Sequence, residues 1–228
     1  EALRLALQYR NRLEFAVGRV CSVEWDVAPG ERRATAVRTT WLPVVETPQT
    51  RSREVAGAML DMRDLAAASP EALVSGLTPI ADAYEGWLTS QKQQVQGLPA
   101  WLQEPAEEAL VEAGQALAQL REGIEFLAGH AEAHRCFAFM NSVMADQRVH
   151  SQVAELRKAS ESLSLAAATE AVEQRPGSHQ WRTFQLAFVL MQLKALWDPT
   201  SERRSSPDLA KVQLLFFPTG GGKTEAYL

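Results

Sequence analysis

Hydrophobic positions along the chain follow two different periods, and the change between them marks out the first elements. In residues 2 to 14, Leu3, Leu7 and Leu13 recur at helical spacing with arginines on the opposite side, which predicts a short amphipathic helix. Cys21, Val23, Trp25 and Val27 then alternate with Ser22, Glu24 and Asp26, the two-residue repeat of a half-buried strand. Pro29-Gly30 punctuates the alternation before Thr35, Val37, Thr39 and Trp41 resume it, so a β-hairpin is expected. Pro43 and Pro48 exclude a central strand after it and predict an extended exit segment.

From residue 53 to about residue 174 the text is rich in Ala, Leu, Glu and Gln, which favours helix throughout. Ser69-Pro70-Glu71 reads as an N-cap followed by proline at the first helical position, and Pro99 and Pro105 are expected to interrupt near the next start. Leu110, Ala113, Leu117, Leu120, Ile124 and Leu127 form one apolar stripe on a helix of about six turns. Val149, Val153, Leu156, Ser160, Leu163 and Ala167 follow a 4-3 spacing that predicts a second long helix antiparallel to the first. Met140, Met144, Phe137 and Phe139 read as core.

Residues 174 to 178 break the helical text. Residues 181 to 197 follow as a buried helix, residues 198 to 211 as a polar loop, and residues 212 to 217 as an apolar run suited to a central parallel strand covered on both faces. Three segments result: a helix plus hairpin over 1–53, a helical bundle or hairpin over 54–175, and the start of a further domain over 176–228. The chain opens on Glu without a charged and apolar leader and stops one turn into a new helix, so it reads as a piece of a longer protein.

Charge follows the same division. Residues 1 to 53 carry nine basic and six acidic residues, 54 to 175 eight and eighteen, and 176 to 228 six and four, within a net charge of -5. That balance argues against a protein that coats nucleic acid generally but leaves room for a local basic groove. Cys21 and Cys136 form neither a disulfide framework nor a zinc spacing, which fits a reducing cytoplasm. The longest apolar run, residues 184 to 197, is too short for a bilayer, so no membrane association is expected.

The chemistry concentrates at the end. Residues 212 to 217 lead into Pro218-Thr219-Gly220-Gly221-Gly222-Lys223-Thr224, and Glu225 opens a helix. An apolar strand, a glycine loop, Lys-Thr and a helix in that order form a P-loop, in which glycines let backbone N–H groups converge on a triphosphate. Lys223 would sit against the β- and γ-phosphates of ATP, and the Thr224 hydroxyl would ligate Mg²⁺. The general pattern wants a further glycine five residues before Gly222, where this chain has Phe217. The fold class expected is therefore mainly α with a β-hairpin, followed by the truncated start of a RecA-like α/β P-loop domain.

The shorter form P-T-G-x-G-K-T resembles motif I of superfamily-two helicases, in which the first glycine is commonly replaced. Upstream, Arg182, Phe184 and Gln185 in Trp181-Arg182-Thr183-Phe184-Gln185 resemble the R-x-[FY]-Q signature of the same helicases, whose glutamine pairs with the adenine edge. An amide offers a donor and an acceptor side by side, which suits that task. The alternative is that Phe184 is core and Gln185 caps a helix. Gln185 and Lys223 stand 38 positions apart, longer than usual for such motors, and the polar loop at 198 to 211 accounts for the excess. Residues 181 to 228, above all FPTGGGKTEAYL, are similar to the DrmA-type helicase subunit of bacterial DISARM anti-phage systems; upstream the likeness is loose. The resemblance implies the N-terminal part, ending just after motif I, of an ATP-driven DNA translocase that works with a DUF1998-containing partner subunit.

Other signals carry less. His130 and His134 flank Glu132 in the wrong place for an H-E-x-x-H zinc site and read as a helical surface pair. Arg32, Arg33, Arg38, Arg51 and Arg53 form either a track for phosphates or a solvated face. Two other function classes remain open: a P-loop ATPase switch that is not a helicase, and a partner-docking module attached to a P-loop. Hydrolysis further needs an acidic residue for Mg²⁺ and water and an arginine finger, which cannot be assigned in this chain.

Overall fold

The computed structural model of the chain describes residues 1–42, 52–160, 162–206, 209, 210, 214 and 222–227. It is mainly helical with one two-stranded antiparallel hairpin of substance, and forms two compact units. One comprises Glu1–Thr50 with Lys92–Leu110, the other Arg51–Gln91 with Val111–Leu228.

In the first unit, α1 (Ala2–Gln8) is shorter than the expected helix over 2–14. It buries no residue, and a helix this short is marginal without a packed face. The hairpin falls where the alternation placed it: β1 (Ser22–Val27) pairs with β2 (Ala34–Thr40), setting Trp25 opposite Val37 and Glu24 opposite Arg38. Phe15 meets Trp25 edge-on at 5.7 Å. The exit segment with Pro43 and Pro48 lies outside the described residues.

The second unit is built around one apolar core. Helix α2 (Met62–Ala67) is capped by Asp61, whose side chain accepts from the backbone of Arg63 and Asp64. Helix α3 (Pro70–Val95) starts at the expected proline, with Ser69 Oγ accepting from Ala72 N at 3.2 Å. Helix α4 (Ala100–Gly129) runs through Pro105 instead of restarting there. Proline removes one N–H, and the carbonyl it strands, that of the exposed Trp101, can turn to water. The α4 stripe is buried at Leu120, Ile124 and Leu127, against Leu73, Leu77 and Ile80 of α3 and Leu186 and Leu190 of α7 (Thr183–Trp197). At Gly123 an added Cβ would come within 2.0 Å of the Leu190 carbonyl oxygen, so glycine is what lets α4 and α7 touch backbone to backbone.

Helix α5 (Ala131–Ala159) corrects two expectations. The 4-3 spacing from Val149 to Ala167 is not one helix: α5 ends at Ser160, and α6 (Leu165–Glu173) begins after it, capped by Ser164. The spacing still reports a real contact, since Val149 and Val153 pack with Ala168 and Val172, with Leu156 and Leu163 against them. The chain turns back on itself, which a periodicity count cannot distinguish from continuation. Phe137 and Met144 are core and Met140 packs against it, but Phe139 is 71% exposed, because it falls between the buried positions of α5.

The break at residues 174 to 178 is a run of turns, with helices of the second unit on both sides of it. A single antiparallel bridge between Asp61 and Gln180 then lays the chain beside the start of α2, through Met62 N to His179 O at 3.0 Å and Trp181 N to Leu60 O at 2.9 Å. Trp181 is buried, and its indole N–H donates to Asn141 Oδ1 at 2.7 Å; the fully buried Asn141 returns its amide to the Phe137 carbonyl at 2.8 Å. In place of a plain polar loop, residues 198 to 211 include the two-residue pair β3 (Ser205–Ser206) and β4 (Leu209–Ala210). Of the apolar run at 212 to 217 only Leu214 is described, and it is 81% exposed and outside any strand. The other residues of that run, and with them the expected strand, lie outside the described residues. No described helix is long and apolar enough to cross a membrane.

Two measurements follow from this packing. Trp181→Phe removes a buried donor while keeping an aromatic ring, and should lower unfolding free energy by about 1–3 kcal/mol in urea titrations, with Asn141→Ala non-additive to it. Glu122 on α4 accepts from Lys194 of α7 at 2.5 Å and from Arg203, and the Lys194 bond foremost, with Arg203 adding to it, holds its carboxyl below the ordinary glutamate range against the opposing effect of burial. A lowered folded-state pKa stabilises the fold at neutral pH, and that contribution is lost as pH falls through the carboxylate range. Glu122→Gln should therefore lower the melting temperature at pH 7 and flatten its decline toward acid.

Candidate functional site

The bridge at Gln180 and the buried Trp181 fix the point from which α7 departs, and the first turn of α7 carries the signature read from sequence. Arg182 is the N-cap and exposed, Phe184 is half-buried, and Gln185 is 1% exposed. Gln185 stands at the third helical position, where its Oε1 accepts from Arg182 N at 2.8 Å. The helix-capping alternative thus describes one end of this amide.

The other end reaches the motif 37 residues on. Because only the oxygen can accept from the Arg182 N–H, the amide nitrogen faces the opposite way, and it donates to the Gly222 carbonyl and to Glu225 Oε2 at 3.2 Å. Gly222 has φ +81°, and an added Cβ would lie 2.7 Å from Arg182 Nη1 and 3.2 Å from Gln185 Nε2. Glycine serves here both for the left-handed backbone and for the room it leaves. Lys223 is half-exposed, and Thr224 is exposed at the start of α8 (Thr224–Tyr227), the helix opening the sequence placed there. Ala226 is buried, and Phe188 of α7 meets Tyr227 edge-on at 5.5 Å. Thr219, Gly220, Gly221 and Phe217 lie outside the described residues.

Two residues that sequence reasoning missed complete the cluster. Glu225 places Oε1 3.4 Å from Arg148 Nη1, so its carboxylate joins Gln185 on one side to α5 on the other. Arg148 also donates from Nε to the Ser178 carbonyl at 3.3 Å, where Gln152 Nε2 donates at 2.7 Å. Glu225 was legible only as a helix-opening residue after Lys-Thr. The one hint to Arg148 was its being among few cations in an acidic stretch.

The remaining candidates separate. His130 caps α5 through Nδ1, which accepts from Ala133 N at 3.2 Å, and His134 Nε2 lies 3.0 Å from the Ala68 carbonyl. The pair does not converge, and no cluster of metal-binding side chains occurs among the described residues. On the hairpin, Arg38 is held by Asp26 and Glu24, and Arg32 donates to the Arg10 carbonyl, so those cations are partly spent within the unit. Arg53 is exposed, and Arg51 lies outside the described residues.

No protein-family model matches the chain. Among curated proteins it is similar to the DISARM protein DrmA of Bacillus paralicheniformis, at 32% identity over 231 residues that take in 96% of this chain. The chain spans about a fifth of that relative's length, since the aligned part is 19% of it.

The geometry around Gln185 yields its own prediction. Gln185→Ala removes the partner of the Arg182 N–H, of the Gly222 carbonyl and of one Glu225 oxygen, and should cost about 1–3 kcal/mol in urea unfolding. Gln185→Glu, nearly the same in shape, should be at least as harmful, because it sets an oxygen against the Gly222 carbonyl and the Glu225 carboxylate.

Proposed function

We propose that this chain is the ATP-binding part of an ATP-dependent DNA helicase or translocase acting in bacterial anti-phage defence. The observation that carries the reading is the meeting of two motifs distant in sequence: the Gln185 amide lies against Gly222 and Glu225, on either side of Lys223 and Thr224. Similarity to DrmA over nearly the whole chain supports the defence context and a complex with other DISARM subunits, among which the partner we propose is a DUF1998-type subunit.

The residues present fit a magnesium nucleotide. Gly222 has the left-handed backbone that a phosphate-cradling turn uses, Lys223 supplies the ammonium, and Thr224 the hydroxyl for Mg²⁺. Arg182 and Gln185 border the same turn, so a purine and a phosphate chain are served by one neighbourhood. When bound, ATP supplies the free energy of phosphoryl transfer to water; the residues here bind and orient it. The acidic and arginine groups that complete hydrolysis belong to other parts of the protein.

Two outcomes test this reading. In the complete protein, Lys223→Ala should leave the fold intact, judged by circular dichroism, and reduce DNA-stimulated ATPase by roughly a hundredfold or more. Unchanged hydrolysis in that variant would end the motor reading. The isolated 228 residues should show no turnover, and a steady rate abolished by Lys223→Ala would contradict the assignment of catalytic groups elsewhere.

A further inference from the structure

We propose that Arg148 and Glu225 are a positioning pair that fixes the orientation of the Gln185 amide and thereby makes the site read adenine over guanine. The proposal rests on the nucleotide-binding reading above and concerns residues to which the sequence motifs give no role.

The hydrogen-bond inventory of Gln185 leads to it. Its oxygen has two lone pairs, one of them taken by Arg182 N–H, and its nitrogen has two hydrogens, directed to Glu225 and to the Gly222 carbonyl. A purine edge needs one donor and one acceptor from the amide. The oxygen has a lone pair to spare, and the nitrogen gains a free hydrogen if it gives up Gly222 alone. The bonds to Arg182 and Glu225 then remain, and they pin the plane of the amide from its two ends.

The pin on the nitrogen side is only as firm as Glu225. This carboxylate is about a quarter exposed and has two oxygens, one for Gln185 and one for Arg148. Arg148 is itself anchored, since its Nε donates to the Ser178 carbonyl, three residues before the buried Trp181. The guanidinium neutralises the carboxylate and ties it to α5, a 29-residue helix whose Met144, Ala145 and Val149 are buried on either side of Arg148. Position and charge at 225 are thus set from outside the nucleotide loop.

Discrimination follows from the pinning. Adenine offers a donor and an acceptor on the edge that an amide faces, whereas guanine offers two acceptors there. A fixed amide must set its oxygen against one of guanine's acceptors, while a loosened amide can turn the oxygen away and donate alone. Losing Arg148 or the Glu225 charge should therefore weaken ATP binding and relax the preference for it.

The test is equilibrium binding of fluorescent ATP and GTP analogues, with Mg²⁺, to the complete protein and three variants. Arg148→Met should weaken ATP by about tenfold, the scale of one charge-assisted hydrogen bond, while GTP changes little, so that the ATP/GTP preference falls by a similar factor. Arg148→Lys, which keeps the charge, should recover most of the preference. Glu225→Gln, which keeps the shape, should lose it, and covers the case in which Arg148→Met does not fold. Equal weakening of both nucleotides, or an unchanged preference in Arg148→Met and Glu225→Gln, would overturn the positioning role while leaving nucleotide binding in place. A wild-type protein that binds neither nucleotide would overturn both.

Discussion

A single buried amide joins the first turn of α7 to Gly222 and Glu225. Gln185 sits at the third position of α7 with its oxygen committed to the start of its own helix and its nitrogen committed to Gly222 and Glu225. Burying a polar group without partners is costly, so this side chain can be as inaccessible as it is only because both ends are satisfied. The same bonds bring the residues beside Lys223 and Thr224 to the first turn of α7.

What places that turn is a second buried polar contact. Trp181 and Asn141 pair in the core between α5 and α7, and the bridge at Asp61 and Gln180 keeps the approach extended. Gly123 then lets α7 lie on α4 at backbone distance. Apolar packing supplies the bulk of the stabilisation in such a core, but it is tolerant of sliding; directional bonds at Trp181 and Gln185 set the register. Arg148 extends the arrangement outward, because one guanidinium touches both the segment before α7 and the residue after Thr224.

Local signals were legible in the sequence. Strict alternation around Trp25 and Val37 announced the hairpin, Ser69-Pro70 the start of α3, and the two motifs read together brought Gln185 toward the residues around Gly222. Signals that depend on tertiary context were not. The 4-3 spacing through Ser160 is satisfied equally by one helix and by two that fold back, and Phe139 lost its place in the core to neighbours one turn away. Pro105 ended no helix because water can serve the carbonyl it strands. Arg148 and Glu225 lie 77 residues apart, and no local pattern joins them. Pattern reading finds what neighbours along the chain decide, and misses what distant segments decide for each other.

The most direct measurement is a structure of the complete protein with Mg²⁺ and a non-hydrolysable ATP analogue. The amide of Gln185 should lie within hydrogen-bonding distance of the purine, with its nitrogen released from the Gly222 carbonyl and the terminal phosphates against Lys223. Gln185 still bonded to Gly222, with the nucleotide bound elsewhere or absent at saturating concentration, would contradict the account.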